Sequence, residues 1–215
     1  SLLSFHNMVK RLFFILALFC SCFQVSAQTY DERITRAMDA VEKDSLYLAE
    51  QLLKDALNAD PANMKNALLL SNLGTIQRRM GKNKEAIESY TLAINKTPFS
   101  VTMLLNRASL YLEMDYLEQA YSDYCNVIDL DKKNKEALQF RAYIYMRRRQ
   151  YSEARADYRA LLEEEPSNRI ARLGMVMVNQ KDKRYQEALE TLNLMITEFP
   201  KDVSLLKARA EIEVD

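Results

Sequence analysis

The 215-residue chain has one histidine, three cysteines, three glycines, four prolines and no tryptophan. Each shortage removes a class of chemistry. The sole imidazole, His6, lies in an N-terminal stretch unlike the remainder, so the body of the chain lacks the usual general base and zinc ligand. Gly74, Gly81 and Gly174 are too far apart to form a phosphate-cradling loop, and no nucleophile-elbow sequence occurs. Lys plus Arg number 30 and Asp plus Glu number 30, a formal net charge of zero. General nucleic-acid binding draws on a strongly positive surface that releases counterions, so no nucleic-acid partner is expected. Few glycines and prolines also argue against a long disordered tract. Carboxylates are plentiful, but Glu163-Glu164-Glu165 reads as the solvated end of a helix. The expectation is a chain without enzymatic activity, metal or other cofactor; hydrolysis by paired carboxylates is the remaining catalytic alternative.

Residues 1–27 differ in kind from the rest of the chain. From Met8, the basic pair Lys10-Arg11 precedes an apolar run from Leu12 to Phe23, and Val25-Ser26-Ala27 suits cleavage before Gln28; this is the layout of a secretory signal. Twelve apolar residues are too few for a bilayer core that needs about 20. Export to a bacterial periplasm or cell envelope is therefore expected. Membrane attachment would require lipidation at Cys20 or Cys22, and Phe19 is too large for the small-residue run that such a site uses. Beyond Ala27 only Cys125 remains, which rules out an internal disulfide there. It follows Tyr124 on a helix and reads as a small, partly buried apolar residue; Asp123 beside it argues against the basic surroundings of a reactive thiol.

What the chain does contain is a 34-residue period. Ala86, Ala120, Ala154 and Ala188 are spaced by it, as are Tyr90, Tyr124, Tyr158 and Leu192, and Gly74, Ala108, Ala142 and Val176. Ser100, Asn134, Asn168 and Asp202 recur at the end of each unit, where a side-chain oxygen can accept from free N–H groups of a following helix. Each unit reads as two helices joined by a polar turn at Gly81, Asp115, Arg149 or Lys183. Pro98, Pro166 and Pro200 close three of the units, and Lys132 takes that place in the fourth. Alanine or glycine on one helix permits a close approach, and the ring beside it fills the remaining space. A single pair of helices cannot bury its apolar face, so the units must stack.

This pattern resembles the tetratricopeptide repeat (TPR): small residues at the eighth and twentieth places, an aromatic at the twenty-fourth and proline at the thirty-second. The resemblance covers roughly residues 30–202. It implies an all-α, right-handed α-solenoid made of repeats 30–63, 67–100, 101–134, 135–168 and 169–202. Ala37, Ala49, Leu53, Ala56, Pro61 and Asn63 mark the divergent first unit, and Met64-Lys65-Asn66 is an insertion. Residues 203–215 form a capping helix or the start of a truncated repeat, with Leu206 and Ala210 at inward positions. Residues 28–215 are expected to be one solenoid domain.

The resemblance also implies that the first helices line a concave groove for a protein or peptide partner. Carried onto this chain, the groove positions give Asn72, Arg79, Leu105, Asn106, Tyr143, Met146, Arg147, Leu173, Met177 and Lys181. The two asparagines could bracket an extended backbone. The Tyr, Met and Leu side chains form an adaptable apolar patch, and the cations line one edge and favour acidic groups. Glu136 and Phe140 stand where a clamp for a terminal carboxylate needs basic side chains. Arg147-Arg148-Arg149 also suits the negative end of a helix. The functional expectation is a non-catalytic interaction scaffold of the cell envelope; the alternative is a structural subunit of an envelope assembly using its convex face or ends.

Overall fold

A computed structural model describes residues 30–214. The leader-like segment, Cys20 and Cys22 lie outside the described residues. Among the described residues there are eleven helices and no strand, the all-α helix-turn-helix architecture of an α-solenoid. Helix α1 covers 30–42. It is followed by α2 (Leu46–Ala59), α3 (Asn66–Arg79), α4 (Asn83–Lys96), α5 (Val101–Glu113) and α6 (Leu117–Leu130). Then come α7 (Lys135–Arg147), α8 (Tyr151–Glu164), α9 (Arg169–Lys181), α10 (Tyr185–Glu198) and α11 (Val203–Val214). The chain divides into two compact units, the first ending at Pro98 and the second starting at Phe99.

In the first unit, α2 packs on α3 and α3 on α4. Tyr30, Ala37, Ala49, Leu53, Leu73 and Ile76 form its core. The Met64-Lys65-Asn66 insertion changes the entry to α3. Asn63 does not cap that helix; its Oδ1 accepts from the Lys65 N–H at 2.9 Å within a turn. Buried Asn66 ties α1 to the chain instead, accepting from the Tyr30 hydroxyl at 2.8 Å and donating to the Asp60 carbonyl at 2.8 Å.

In the second unit the packing runs α5 on α6, α6 on α7, and so on to α10 on α11. The alanines at the twentieth place, Ala120, Ala154 and Ala188, are wholly buried, as is Ala86 in the first unit. The caps form as the residue types predict. Ser100, Asn134 and Asn168 each accept from the backbone N–H three residues on, at 3.4, 3.0 and 2.9 Å. Asp202 accepts from the Ser204 N–H at 2.9 Å. At α11 the expected inward residues are wrong. Leu205 and Ile212 are buried, Leu206 is half-buried and Ala210 is exposed. In a complete repeat the eighth place meets the repeat's own second helix. Helix α11 packs backward on α10, and its buried stripe falls at the third and tenth places.

Every turn inside a repeat passes through left-handed backbone: Asp44 (φ 55°), Gly81 (74°), Asp115 (60°), Arg149 (59°) and Lys183 (59°). The next residue then donates back across the turn, as from Tyr116 to the Tyr111 carbonyl at 2.8 Å, which satisfies a free helix-end acceptor. Four side chains thus sit where glycine is preferred. A left-handed non-glycine residue costs about 1–2 kcal/mol, and glycine's extra freedom in the unfolded chain offsets about 0.4–1 kcal/mol of that. Lys183→Gly should therefore stabilise the protein by roughly 0.5 kcal/mol, seen as a higher urea midpoint. A lower midpoint would show that this lysine holds a compensating contact.

Candidate peptide-binding clefts

The second unit carries two adjoining clefts. One, of about 400 Å³, is lined by Ser109, Leu112 and Glu113 from α5, Gln139, Phe140 and Tyr143 from α7, Tyr158 from α8 and Ile170 from α9. The other, of about 540 Å³, takes Tyr143, Met146 and Arg147 from α7, Arg149 from the turn, Tyr151 and Tyr158 from α8, and Met177 and Lys181 from α9. Tyr143 and Tyr158 belong to both. The 34-residue period accounts for this gathering. Places nine, twelve and thirteen recur on one face of each first helix, and stacking brings those faces together.

Five of the ten groove residues read from the sequence line the second cleft together: Tyr143, Met146, Arg147, Met177 and Lys181. The others lie elsewhere. Leu105 and Asn106 are half-buried on α5 and line neither cleft. Leu173 is half-buried, packs against the core formed by Val176, Ala188 and Leu192, and lines neither of these clefts. Asn72 and Arg79 lie in the first unit, where the Arg79 guanidinium meets Asp44 at 2.9 Å. The sequence reading misses Gln139, Tyr151, Tyr158 and Ile170. Of these, Tyr158 reads from the sequence as a packing residue alone.

Tyr158 reaches the cleft floor because of the residue beneath it. Phe140, at the sixth place of its repeat, stacks on Tyr124 with ring centroids 5.7 Å apart and planes 22° apart. The sixth place of the next repeat is Gly174, and a Cβ there would come within 2.4 Å of the Tyr158 ring. Burial raises the Tyr158 pKa, and the nearby Asp157 adds to the rise. The ring is therefore a neutral hydrogen-bonding surface at physiological pH.

Arg147 is a structural part of the rim. Its Nη1 donates to the Tyr143 hydroxyl at 3.0 Å, its Nη2 meets Asp115 at 3.2 Å, and both groups raise its pKa, the Tyr143 hydrogen bond most. The three consecutive arginines do three different things. Arg148 lies 4.2 Å over the Tyr121 ring and pairs with Glu118 at 2.6 Å. Arg149 faces the cleft.

Polar contacts below the surface repeat with the period. Arg107 donates from Nε and Nη2 to both oxygens of Asp123, at 2.8 and 2.7 Å. Arg141 does the same to Asp157, at 2.8 and 2.7 Å. These fork-to-fork pairs join the two helices of one repeat. Between repeats, the twenty-first place meets the eleventh of the next, with a different chemistry each time. Gln77 donates to Glu50 at 3.2 Å, the Tyr121 and Tyr145 hydroxyls are 3.1 Å apart, and Arg155 reaches Asn179 at 3.5 Å. Burial raises the Glu50 carboxyl, but hydrogen bonds from Lys54, Lys82 and Gln77 outweigh it and hold the pKa down to about 2. Cys125 is half-buried, as expected, but its surroundings are not those read from the sequence. Arg141 Nη1 approaches its sulfur to 3.7 Å across the helix pair, a neighbour that adjacency to Asp123 could not reveal.

The clefts hold one carboxylate, Glu113, and the buried carboxylates Glu50, Asp123 and Asp157 each face cations. Among the described residues no group of three or more His, Cys, Asp or Glu side chains is placed to hold a metal ion. None of the described helices is long and apolar enough to cross a membrane. The arrangement is suited to holding a side chain or an extended backbone against aromatic and thioether surface.

Known proteins carry the same construction. Tetratricopeptide repeat profiles match residues 67–95 and 101–134, and residues 141–203. A solved tetratricopeptide repeat protein from Parabacteroides merdae is 39% identical with a TM-score of 0.80, the match covering 86% of this chain and 72% of that one. The first TPR of Spaghetti (RPAP3), bound to the HSP90 peptide SRMEEVD, is 29% identical with a TM-score of 0.51, covering 55% of this chain and 94% of that one. DnaJ homolog subfamily C member 7 from Homo sapiens is 34% identical over 94 residues, which is 43% of this chain but 19% of that relative's length. The shared period, the buried small residues and the likeness to the Parabacteroides protein place the chain in the tetratricopeptide repeat family.

Proposed function

We propose that this protein is a non-catalytic interaction module of the cell envelope that holds a peptide or an extended segment of a partner protein in the clefts of residues 99–214. TPR proteins mediate protein–protein or peptide interactions, and one similar structure holds an HSP90 peptide. The observation that carries the reading to particular residues is the pair of adjoining clefts that share Tyr143 and Tyr158. Tyr143 and Met177 are 42% and 56% exposed, large apolar groups left uncovered where three first helices converge. Envelope placement rests separately on the leader-like residues 8–27, and the cleft reading does not depend on it.

The test removes the exposed groups without touching the core. Tyr143→Ala with Met177→Ala should lower capture of partner from an envelope extract by at least about tenfold, the equivalent of about 1.4 kcal/mol. Helix content by circular dichroism should be unchanged. Undiminished capture by the double variant would remove the clefts from the function.

A further inference from the structure

The rim of the second cleft departs from the repeat before it in one respect. At two places in the chain, the left-handed turn residue of one repeat pairs with the thirteenth residue of the next. Asp44 meets Arg79 at 2.9 Å, and Asp115 meets Arg147 at 3.2 Å. The corresponding residues one repeat further on are Arg149 and Lys181. Both are cations, both are exposed, and both line the same cleft. Neither side chain has an ion pair or a side-chain hydrogen bond among the described residues.

The turn keeps its left-handed conformation at Arg149 (φ 59°), an unfavourable choice for a long side chain, and places a guanidinium where the preceding turn carries a carboxylate. Two like charges at one rim repel each other unless an anion lies between them. Arg147, the third cation of the cleft, is already engaged by Tyr143 and Asp115. The floor beside the pair is apolar and aromatic, formed by Met146, Tyr151, Tyr158 and Met177.

We propose that Arg149 and Lys181 form an anion-binding subsite, made by replacing the acidic half of an ion pair that the chain repeats elsewhere, and that its ligand is an Asp or Glu side chain next to an aromatic or long aliphatic residue of a bound peptide. The carboxylate bridges the two cations, and the neighbouring apolar side chain enters between Tyr143 and Met177. This rests on the peptide-binding function proposed for the clefts and adds to it the class of segment recognised and its charge.

Selection of phage-displayed random seven-residue peptides on the whole protein, and in parallel on Arg149→Asp, tests it. The variant recreates the Asp115–Arg147 arrangement beside Lys181, so it keeps the fold. Peptides selected on the unaltered protein should be enriched in Asp or Glu within two residues of Phe, Tyr, Leu or Met. Those selected on Arg149→Asp should keep the apolar enrichment and lose the acidic one. For the strongest selected peptide, changing its acidic residue to the amide should weaken binding to the unaltered protein about tenfold, about 1.4 kcal/mol of a charge-assisted hydrogen bond. The same change should leave binding to Arg149→Asp within about twofold. Apolar enrichment without an acidic preference, or a preference that survives both Arg149→Asp and Lys181→Ala, overturns the subsite and leaves the cleft reading standing. Absence of any enrichment overturns both.

Discussion

Asp123→Ala should destabilise the second unit by about 3–5 kcal/mol, the usual consequence of leaving one half of a buried ion pair without its partner. Asp123 is 2% exposed, and both its oxygens accept from Arg107. These bonds raise the Arg107 pKa against the opposing effect of burial; the guanidinium stays charged in the variant even without them, because arginine does not deprotonate in proteins. The chain suggests its own repair. Stepping one period from the Arg141–Asp157 pair reaches Met175 and Thr191, and stepping back from Arg107–Asp123 reaches Leu73 and Ser89. In the four regular repeats, the two places carry both charges or neither. Arg107→Met combined with Asp123→Thr should therefore cost less than about 1.5 kcal/mol, because no charge is left stranded. Urea unfolding of the single and double variants measures the coupling. If the double variant loses as much as Asp123→Ala, the pair contributes by something other than mutual neutralisation.

The same pair shows where sequence reading stops. The alanine, tyrosine and cap positions were legible because each is fixed by its own repeat and announces itself by residue type. Ala120 must be small and Asn134 must accept, whatever lies around them. Arg107 and Asp123 recur one period on as Arg141 and Asp157, yet charged residues on helices ordinarily face water, and no spacing on one helix points to a partner across the turn. Cys125 illustrates the same gap, since the guanidinium beside it comes from the next repeat. The cleft was partly legible. Met146, Arg147, Met177 and Lys181 sit at places that depend on the helix period alone. Leu173 lies outside these clefts, at a fifth place on the boundary between groove and core, where small differences in packing decide exposure. At α11 the expectation of Leu206 and Ala210 carried over a partner helix that this helix does not pack against.

Gly174 packs against Tyr158, which lines both clefts, and their separation should be intolerant of a single carbon. An added Cβ at Gly174 would lie 2.4 Å from the nearest Tyr158 ring atom, too close to stand without a shift. In an exposed helix Gly→Ala would gain about 1 kcal/mol of propensity. Here overpacking, which costs about 1–3 kcal/mol and sometimes more, opposes it. The ring is held beneath α9 and cannot swing out without opening the core around Ala154 and Leu161. Gly174→Ala should therefore destabilise the protein by about 1–2 kcal/mol, and it should reshape both clefts, since Tyr158 lines each of them. The last repeat indicates the compensating change: Leu192, equivalent to Tyr158, is fully buried opposite Val176 and Leu205 in that core. Tyr158→Leu added to Gly174→Ala should recover at least about 1 kcal/mol in a double-mutant cycle, because the shorter side chain leaves room for the methyl group. Simple additivity of the two changes would mean that the ring moves aside freely, and that Tyr158 is not a fixed floor for the ligand. Recovery of stability without recovery of peptide binding would instead separate the two roles of this tyrosine, as packing element and as binding surface.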